Sequence, residues 1–362
     1  MLRPAGPVAE QPRVAILAQG LFTRQTAKTA IGAIRYAPYP IVAVVDATRA
    51  GTDSAAAVGV GPGIPVVATV AEAIAAGANT LLLGTAAPGG RIPDDYRPLL
   101  AEALGRGLEV WNGLHERVFA DPALCAAAER GGGSVRELRE PPADLPVGGH
   151  RQRRPGAGVV LTVGSDAAVG KMTVALELVR ALERANIRAA FVATGQTGIA
   201  ISGEGISVDA VVADFIAGAA ERMACDAAEG ADWVVVEGQG SLTHPGFSGV
   251  TLGLLHGSAP DVMVLCHDAS RAEMKGFPGL PLKPLRELVT LYESAALWSR
   301  PPGAHVPVVA VALNTSALDP ARAAREILLA AEETGLPAAD PVRDGPAGAD
   351  RLAAAVLGAR RV

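Results

Sequence analysis

One stretch constrains this chain more than any other. Residues 159–163, Val-Val-Leu-Thr-Val, form an apolar run that reads as a buried strand. Residues 173–182, Thr-Val-Ala-Leu-Glu-Leu-Val-Arg-Ala-Leu, carry a helical pattern. Between them lies Gly164-Ser165-Asp166-Ala167-Ala168-Val169-Gly170-Lys171-Met172. Strand, glycine-bounded turn, Gly-Lys and helix is the order that cradles phosphates. Backbone N–H groups of such a turn point at anionic oxygens, and the helix N-terminus adds its positive dipole end. Lys171 supplies a full charge. The candidate anion-binding residues are Gly164, Ser165, Asp166, Ala168, Val169, Gly170, Lys171, Met172 and Thr173.

The pattern around this stretch predicts a fully α/β chain. Upstream, strands are expected at 14–18, 41–45, 65–67, 80–84, 108–112 and 135–139, with helices at 24–36, 70–76, 94–106 and 121–130. Downstream, strands are expected at 188–193, 232–236, 261–266 and 306–313, with helices at 208–215, 283–298, 319–334 and 347–359. Strands alternating with helices imply parallel sheets covered on both faces. The expected organisation is a Rossmann-like α/β domain over 1–145 and a Pro/Arg-rich linker over 146–157. A P-loop α/β domain follows over 158–362. Residues 1 to about 12 read as a loose leader.

Ligands of parallel sheets lie outside the carboxyl ends of the strands, which selects the remaining candidates. Asp46 closes the second strand and reads as a polar strand end, with ribose binding as the alternative. The first strand is not followed by Gly-x-Gly-x-x-Gly, which argues against a nicotinamide dinucleotide. His115 follows the strand at 108–112 as a loop histidine or substrate contact. Thr194 and Gln196 lie in a polar turn, Thr194–Gly198, ahead of a flexible segment at 201–205. Glu237 ends a buried strand, and Gln239, Ser241 and His244 follow it. An acid so placed holds Mg²⁺ in many phosphate-loop proteins, here with Thr173 as its partner if Mg²⁺ is used. His267 and Asp268 end the next strand and are candidates for general base. Lys275–Gly279 reads as a loop that closes over the site.

Composition excludes several classes. The formal net charge is −5, so no basic field favours a nucleic acid. Three cysteines, Cys125, Cys225 and Cys266, are odd in number and far apart. They suggest neither a disulfide framework nor a metal cluster, and a reducing cytoplasm is expected. No signal-peptide core is seen at the N-terminus, and no run is long and apolar enough for a bilayer. No membrane partner is expected.

The phosphate loop departs from the common spacing, because five residues separate Gly164 from Gly170. With a Val-Glu-Gly strand end at 236–238, that form resembles the dethiobiotin synthetase branch of P-loop proteins. A closer likeness rests on several motifs in one order. They are Ala27-Lys28-Thr29-Ala30, Gly113-Leu114-His115, Arg139-Glu140-Pro141-Pro142, the 164–173 loop, and Glu237-Gly238-Gln239-Gly240-Ser241. Together they resemble a bacterial two-domain family long filed as a domain of unknown function, whose described members are D-glutamate N-acetyltransferases. The resemblance covers about 13 to 335. It implies acetyl transfer from acetyl-CoA to the amino group of a D-amino acid such as D-glutamate. It places Gly164, Ser165, Asp166, Gly170, Lys171 and Thr173 on the phosphate loop, and Glu237, Gln239 and Ser241 on the second motif. Ser165-Asp166-Ala167 stands where the family pattern has Thr-Asp-Cys, so no cysteine is available there as an acyl carrier.

The loop residues bear on the choice of ligand. Loops that hold Mg²⁺–ATP place Ser or Thr directly after the lysine, whereas this chain has Met172. That favours acetyl-CoA as donor, with His267 or Asp268 as base and Gln239 or a turn N–H at the oxyanion. The alternative is an ATP/Mg-dependent ligase or kinase acting on a small carboxylate or amine, with Glu237 as its main support. A third reading is a nucleotide-responsive binding protein. A small amino-acid substrate and a homo-oligomer are expected.

Overall fold

A computed structural model describes residues 11–85 and 88–359. The leader expected over 1–12 falls mostly outside them. The chain divides into two units, one of residues 1–140 with 196–204, the other of 141–195 with 205–362.

The first unit contains β1 (Val14–Leu17), α1 (Lys28–Tyr36), β2 (Ile41–Val45), α2 (Ser54–Val58), β3 (Val66–Val67) and α3 (Val70–Ala75). β4 (Thr80–Leu83), α4 (Tyr96–Gly105), β5 (Glu109–Asn112), α5 (Pro122–Gly131) and β6 (Ser134–Glu137) complete the alternation. All six strands run parallel in the order β3-β2-β1-β4-β5-β6. This is a Rossmann-like sheet. Helix α1 begins at Lys28, four residues later than the pattern suggests. Thr26 donates its hydroxyl to the Leu21 carbonyl and pairs with Thr23, and such local bonds compete with helix formation.

The second unit begins with β7 (Gly158–Gly164), α6 (Lys171–Arg184) and β8 (Ala189–Val192). Helix α7 (Gln196–Ser202) follows in sequence but belongs to the first unit. Then come α8 (Ala213–Ala228), β9 (Trp233–Val236), α9 (Ser248–Ser258), β10 (Val262–Asp268) and α10 (Leu285–Leu297). β11 (Val308–Asn314), α11 (Pro320–Thr334), β12 (Ala338–Ala339) and α12 (Pro346–Ala359) end the chain's described part. This sheet is also parallel, in the order β12-β11-β10-β7-β9-β8. Every residue of β7 is buried, as expected of a central strand covered on both faces. Val159, Leu161 and Val163 enter the core on one face and Val160 the core on the other. The chain crosses from one side of β7 to the other between β9 and β10. The carboxyl end of β7 is therefore the topological switch point, where such sheets bind ligands.

Three local readings are corrected by packing. Thr194–Gly198 is not a turn throughout, and 201–205 is not simply flexible, because Gln196–Ser202 is helical. Burial of Ile199, Ala200 and Ile201 overrides the weak propensity of a Gly-rich stretch. The helix expected at 208–215 is a single 3₁₀ turn at Val208–Ala210, and α8 starts at Ala213. Val208 and Val211 are buried with Ile206 and Ile216, which is why the stripe looked helical. Helix α9 has no counterpart in the sequence reading. Its Gly253 and Gly257 let α8 come close: a Cβ at Gly253 would stand 2.6 Å from Ile216 Cγ2, and one at Gly257 2.0 Å from the Ala217 carbonyl oxygen. The 146–157 stretch is largely exposed, and its arginines anchor it to the second unit. Arg153 pairs with Asp261 at 3.0 Å, Arg154 donates to the Ala228 and Ala231 carbonyls, and Arg151 pairs with Asp226.

Candidate active site

The turn between β7 and α6 closes at the sheet's switch point. Ala168 (φ 56°) and Gly170 (φ 106°) take left-handed backbone, which reverses the chain and sets the first N–H groups of α6 outward. Lys171 is 6% exposed. Its Nζ donates to the Asp166 carbonyl at 2.8 Å and the Gly240 carbonyl at 2.7 Å. The ammonium is thus held across the loop mouth between two carbonyls, and burial pulls it down to about 8, against the upward pull of Cys266, Asp166 and Glu237. Met172 and Thr173 are half-buried in the first turn of α6.

This arrangement makes anion affinity depend on pH, and the sign is fixed. A bound anion favours the charged amine, so binding is strongest below about 8. As pH rises through that value, pyrophosphate affinity will fall by up to about tenfold per unit. Calorimetric titration across that range is the check, and Lys171→Met will show no such slope.

Glu237 directly follows β9 and is 5% exposed. Burial pushes its carboxyl up to about 7, opposed by the N–H groups of Thr194 and Gly195. Oε2 accepts from the Thr194 amide at 3.1 Å, and the Thr194 hydroxyl donates to the Glu237 carbonyl at 2.7 Å. Among the described residues the hydrogen bonds of Gln239 Nε2 are long, 3.3 Å to Thr194 Oγ1 and 3.5 Å to Glu237 Oε1. Gly238 lies under the loop: a Cβ there would stand 1.7 Å from the Thr162 carbonyl oxygen. Gly238→Ala will therefore cost about 3 kcal/mol of stability by overpacking, read as a lower urea midpoint with an unchanged slope.

Asp166 is fully buried and organises the loop's outer wall. Oδ1 accepts from the Ala167 amide at 2.6 Å. Oδ2 accepts from Arg271 Nη1 at 2.7 Å and from the Lys275 amide at 2.8 Å. Arg271 also donates to the Ala167 carbonyl and pairs with Asp268 at 3.2 Å. The 275–279 loop is consequently tied down on the phosphate loop. Its Phe277 meets the His244 ring edge-on at 5.3 Å, and Phe247 stacks on the same ring at 4.4 Å. His244 Nε2 stands 3.9 Å from Asp166 Oδ1.

Ser165 and His267 form the most chemically suggestive pair. Ser165 Oγ lies 2.9 Å from His267 Nδ1, because β7 and β10 are neighbours in register at Gly164 and Cys266. Burial holds the His267 imidazole below the ordinary histidine range, against the upward pull of Asp268. It is therefore neutral at neutral pH and able to accept a proton. Asp268 is less available, since one oxygen accepts from Ser270 and the other pairs with Arg271.

Other candidates take quieter places. Ser241 is buried and bonded to Thr243. Asp46 is fully buried and accepts from the Gly20, Phe22 and Thr48 amides. His115 is exposed in the first unit and packs on Gly90. Gln196 also lies in the first unit, against Gly113. There Thr29 bonds Thr197 at 2.7 Å and Arg139 donates to the Gly113 carbonyl at 2.7 Å. Three of the recurrent motifs thus meet locally. Sequence reasoning missed Arg271 and Tyr292. The Tyr292 hydroxyl donates to the Gly164 carbonyl at 2.7 Å and accepts from the Leu242 amide at 3.2 Å. Its only sequence signal was a polar-tipped aromatic on the apolar face of a helix.

Residues 146–353 match the P-loop domain of the DUF1611 family, described as a domain of unknown function, and residues 47–141 match its Rossmann-like N-terminal domain. A D-glutamate N-acetyltransferase from Pseudoalteromonas is 38% identical over 76% of this chain and 82% of its own length. One from Tritonibacter scottomollicae is 38% identical over 76% and 81%. The crystal structure of a DUF1611 protein from Anabaena variabilis is 41% identical and superposes with a TM-score of 0.89, covering 96% of this chain and 100% of that one. The chain therefore belongs to the two-domain DUF1611 family and is an N-acetyltransferase of that family.

Proposed function

We propose that the protein transfers an acetyl group from acetyl-CoA to the amino group of a D-amino acid such as D-glutamate, with the phosphate loop holding the CoA phosphates. The observation that carries this reading is the loop itself. It keeps a buried ammonium beside the N-terminus of α6, yet puts Met172 where Mg²⁺–ATP loops carry a hydroxyl. The names of the curated relatives support the acceptor. Glu237, the main support for Mg²⁺, already accepts backbone N–H bonds and sits at about 7, which favours a hydrogen-bonding role beside Lys171.

In this reading His267 is the general base. With Nδ1–H donating to Ser165 Oγ, its Nε2 is basic and takes the proton of the attacking amine. Gln239, with only long contacts, supplies an N–H for the carbonyl oxygen as it becomes negative. Thr194 and Ser241 line the same edge. Parallel calorimetric titrations with CoA, acetyl-CoA and ATP–Mg²⁺ test the assignment. Tighter binding of the CoA species is expected, whereas a preference for ATP that requires Mg²⁺ would move the protein to the ligase or kinase class.

A further inference from the structure

His267 also lines a cavity of about 280 Å³ within the second unit. Lys283, Leu285, Leu313, Glu326, Leu329 and Glu333 are among its walls. The volume falls at the small end of ligand sites, enough for one metabolite the size of an amino acid and too little for a dinucleotide. Its charges are balanced: Arg271 and Lys283 against Glu326 and Glu333. They are not equally available. Arg271 is committed to Asp166, Ala167 and Asp268. Among the described residues Lys283 pairs only with Glu287, on the surface, where both side chains are about half exposed. Such a pair contributes little and exchanges readily.

The acids are freer than the cations. Glu333 Oε1 accepts the Arg286 amide at 3.0 Å, and its second oxygen has no partner among the described residues. Glu326 has no hydrogen bond or ion pair among the described residues. The two acids stand two helical turns apart on α11, and leucines form the apolar walls between the charged groups. Two carboxylates would repel a phosphate, so the cavity does not suit the nucleotide end of a donor. Carboxylates, one mobile ammonium and apolar walls together are complementary to a zwitterion.

We infer that this cavity is the acceptor site for a free α-amino acid, its ammonium held by Glu326 and Glu333 and its α-carboxylate by Lys283. The binding part stands by itself, and the chemical part rests on the acetyl-transfer reading. The ammonium first gives one proton to solvent. The amine nitrogen then bonds to the thioester carbonyl carbon as His267 takes its second proton. The C–S bond breaks, and the thiolate leaves with the proton that His267 carries. The products are the N-acetyl amino acid, free CoA thiol and one proton.

The test is calorimetry of D-glutamate on the full chain without donor, in the wild type, Glu326→Gln and Lys283→Met. Both substituted side chains reach solvent, so melting temperatures should be unchanged. The inference expects D-glutamate to bind the wild type and to weaken about tenfold or more in each variant, while acetyl-CoA affinity moves less than about twofold. Glutarate, which lacks the ammonium, should bind Glu326→Gln at least as well as the wild type. Equal D-glutamate binding in all three proteins overturns the site, as does failure of a panel of D- and L-amino acids to bind the wild type. Variant-sensitive binding with no acetyl transfer leaves the site standing and overturns the reaction.

Discussion

Lys171→Ala will raise the dissociation constant for acetyl-CoA by at least about 100-fold, equivalent to about 2.7 kcal/mol. The lysine is the buried charge at the loop mouth, spanning the Asp166 and Gly240 carbonyls. In water a phosphate ion pair contributes little, but a desolvated one is a large fraction of binding. Truncation also leaves two carbonyls without their donor, so stability will fall by about 1–3 kcal/mol. Lys171→Met fills the space without the charge or the donor: it should recover only the packing part of the stability and none of the affinity. Equal losses of acetyl-CoA and D-glutamate binding would indicate collapse of the fold rather than loss of an anion site. Fluorescence or calorimetric titration of both ligands decides between them.

His267→Gln will lower kcat by about 10²- to 10⁴-fold with little change in the acetyl-CoA KM. Glutamine keeps a polar group near Ser165 but cannot accept the amine proton. Wild-type activity should rise with pH as the imidazole loses its proton. Because burial favours the neutral ring, that limb lies below the ordinary histidine range. The limb should vanish in the variant. Ser165→Ala should retain the limb with a smaller loss of kcat, since it removes only the group that orients Nδ1. A profile unchanged in His267→Gln would transfer the base to Glu237, whose carboxyl sits at about 7.

The sequence was most informative where the chemistry is contiguous. Strand, turn, Lys171 and helix lie within a few dozen residues, and the structure joins them in that order. The alternation of strands and helices likewise defined two parallel sheets, because central strands read as continuous apolar runs. Long-range pairings were less accessible. Arg271 reaches Asp166 across 105 positions, and Tyr292 reaches Gly164 across 128. No local period marks either contact. Helix α9 was hidden for another reason. Its glycines lower helix propensity, yet they are what allow α8 to approach, so the packing that stabilises the helix obscures it in the sequence. The recurrent motifs at Thr29, Gly113 and Arg139 were visible as a pattern. Their meeting beside Gln196 and Thr197 emerged only in three dimensions.

The most direct measurement incubates the purified protein with acetyl-CoA and D-glutamate, then quantifies N-acetylglutamate by mass spectrometry and free thiol by colorimetry. Equal amounts of the two products are expected, with the loss of both in Lys171→Ala and His267→Gln. Absence of acetylated product from every amino acid in a D and L panel, with phosphate or ADP released instead from Mg²⁺–ATP, would contradict it.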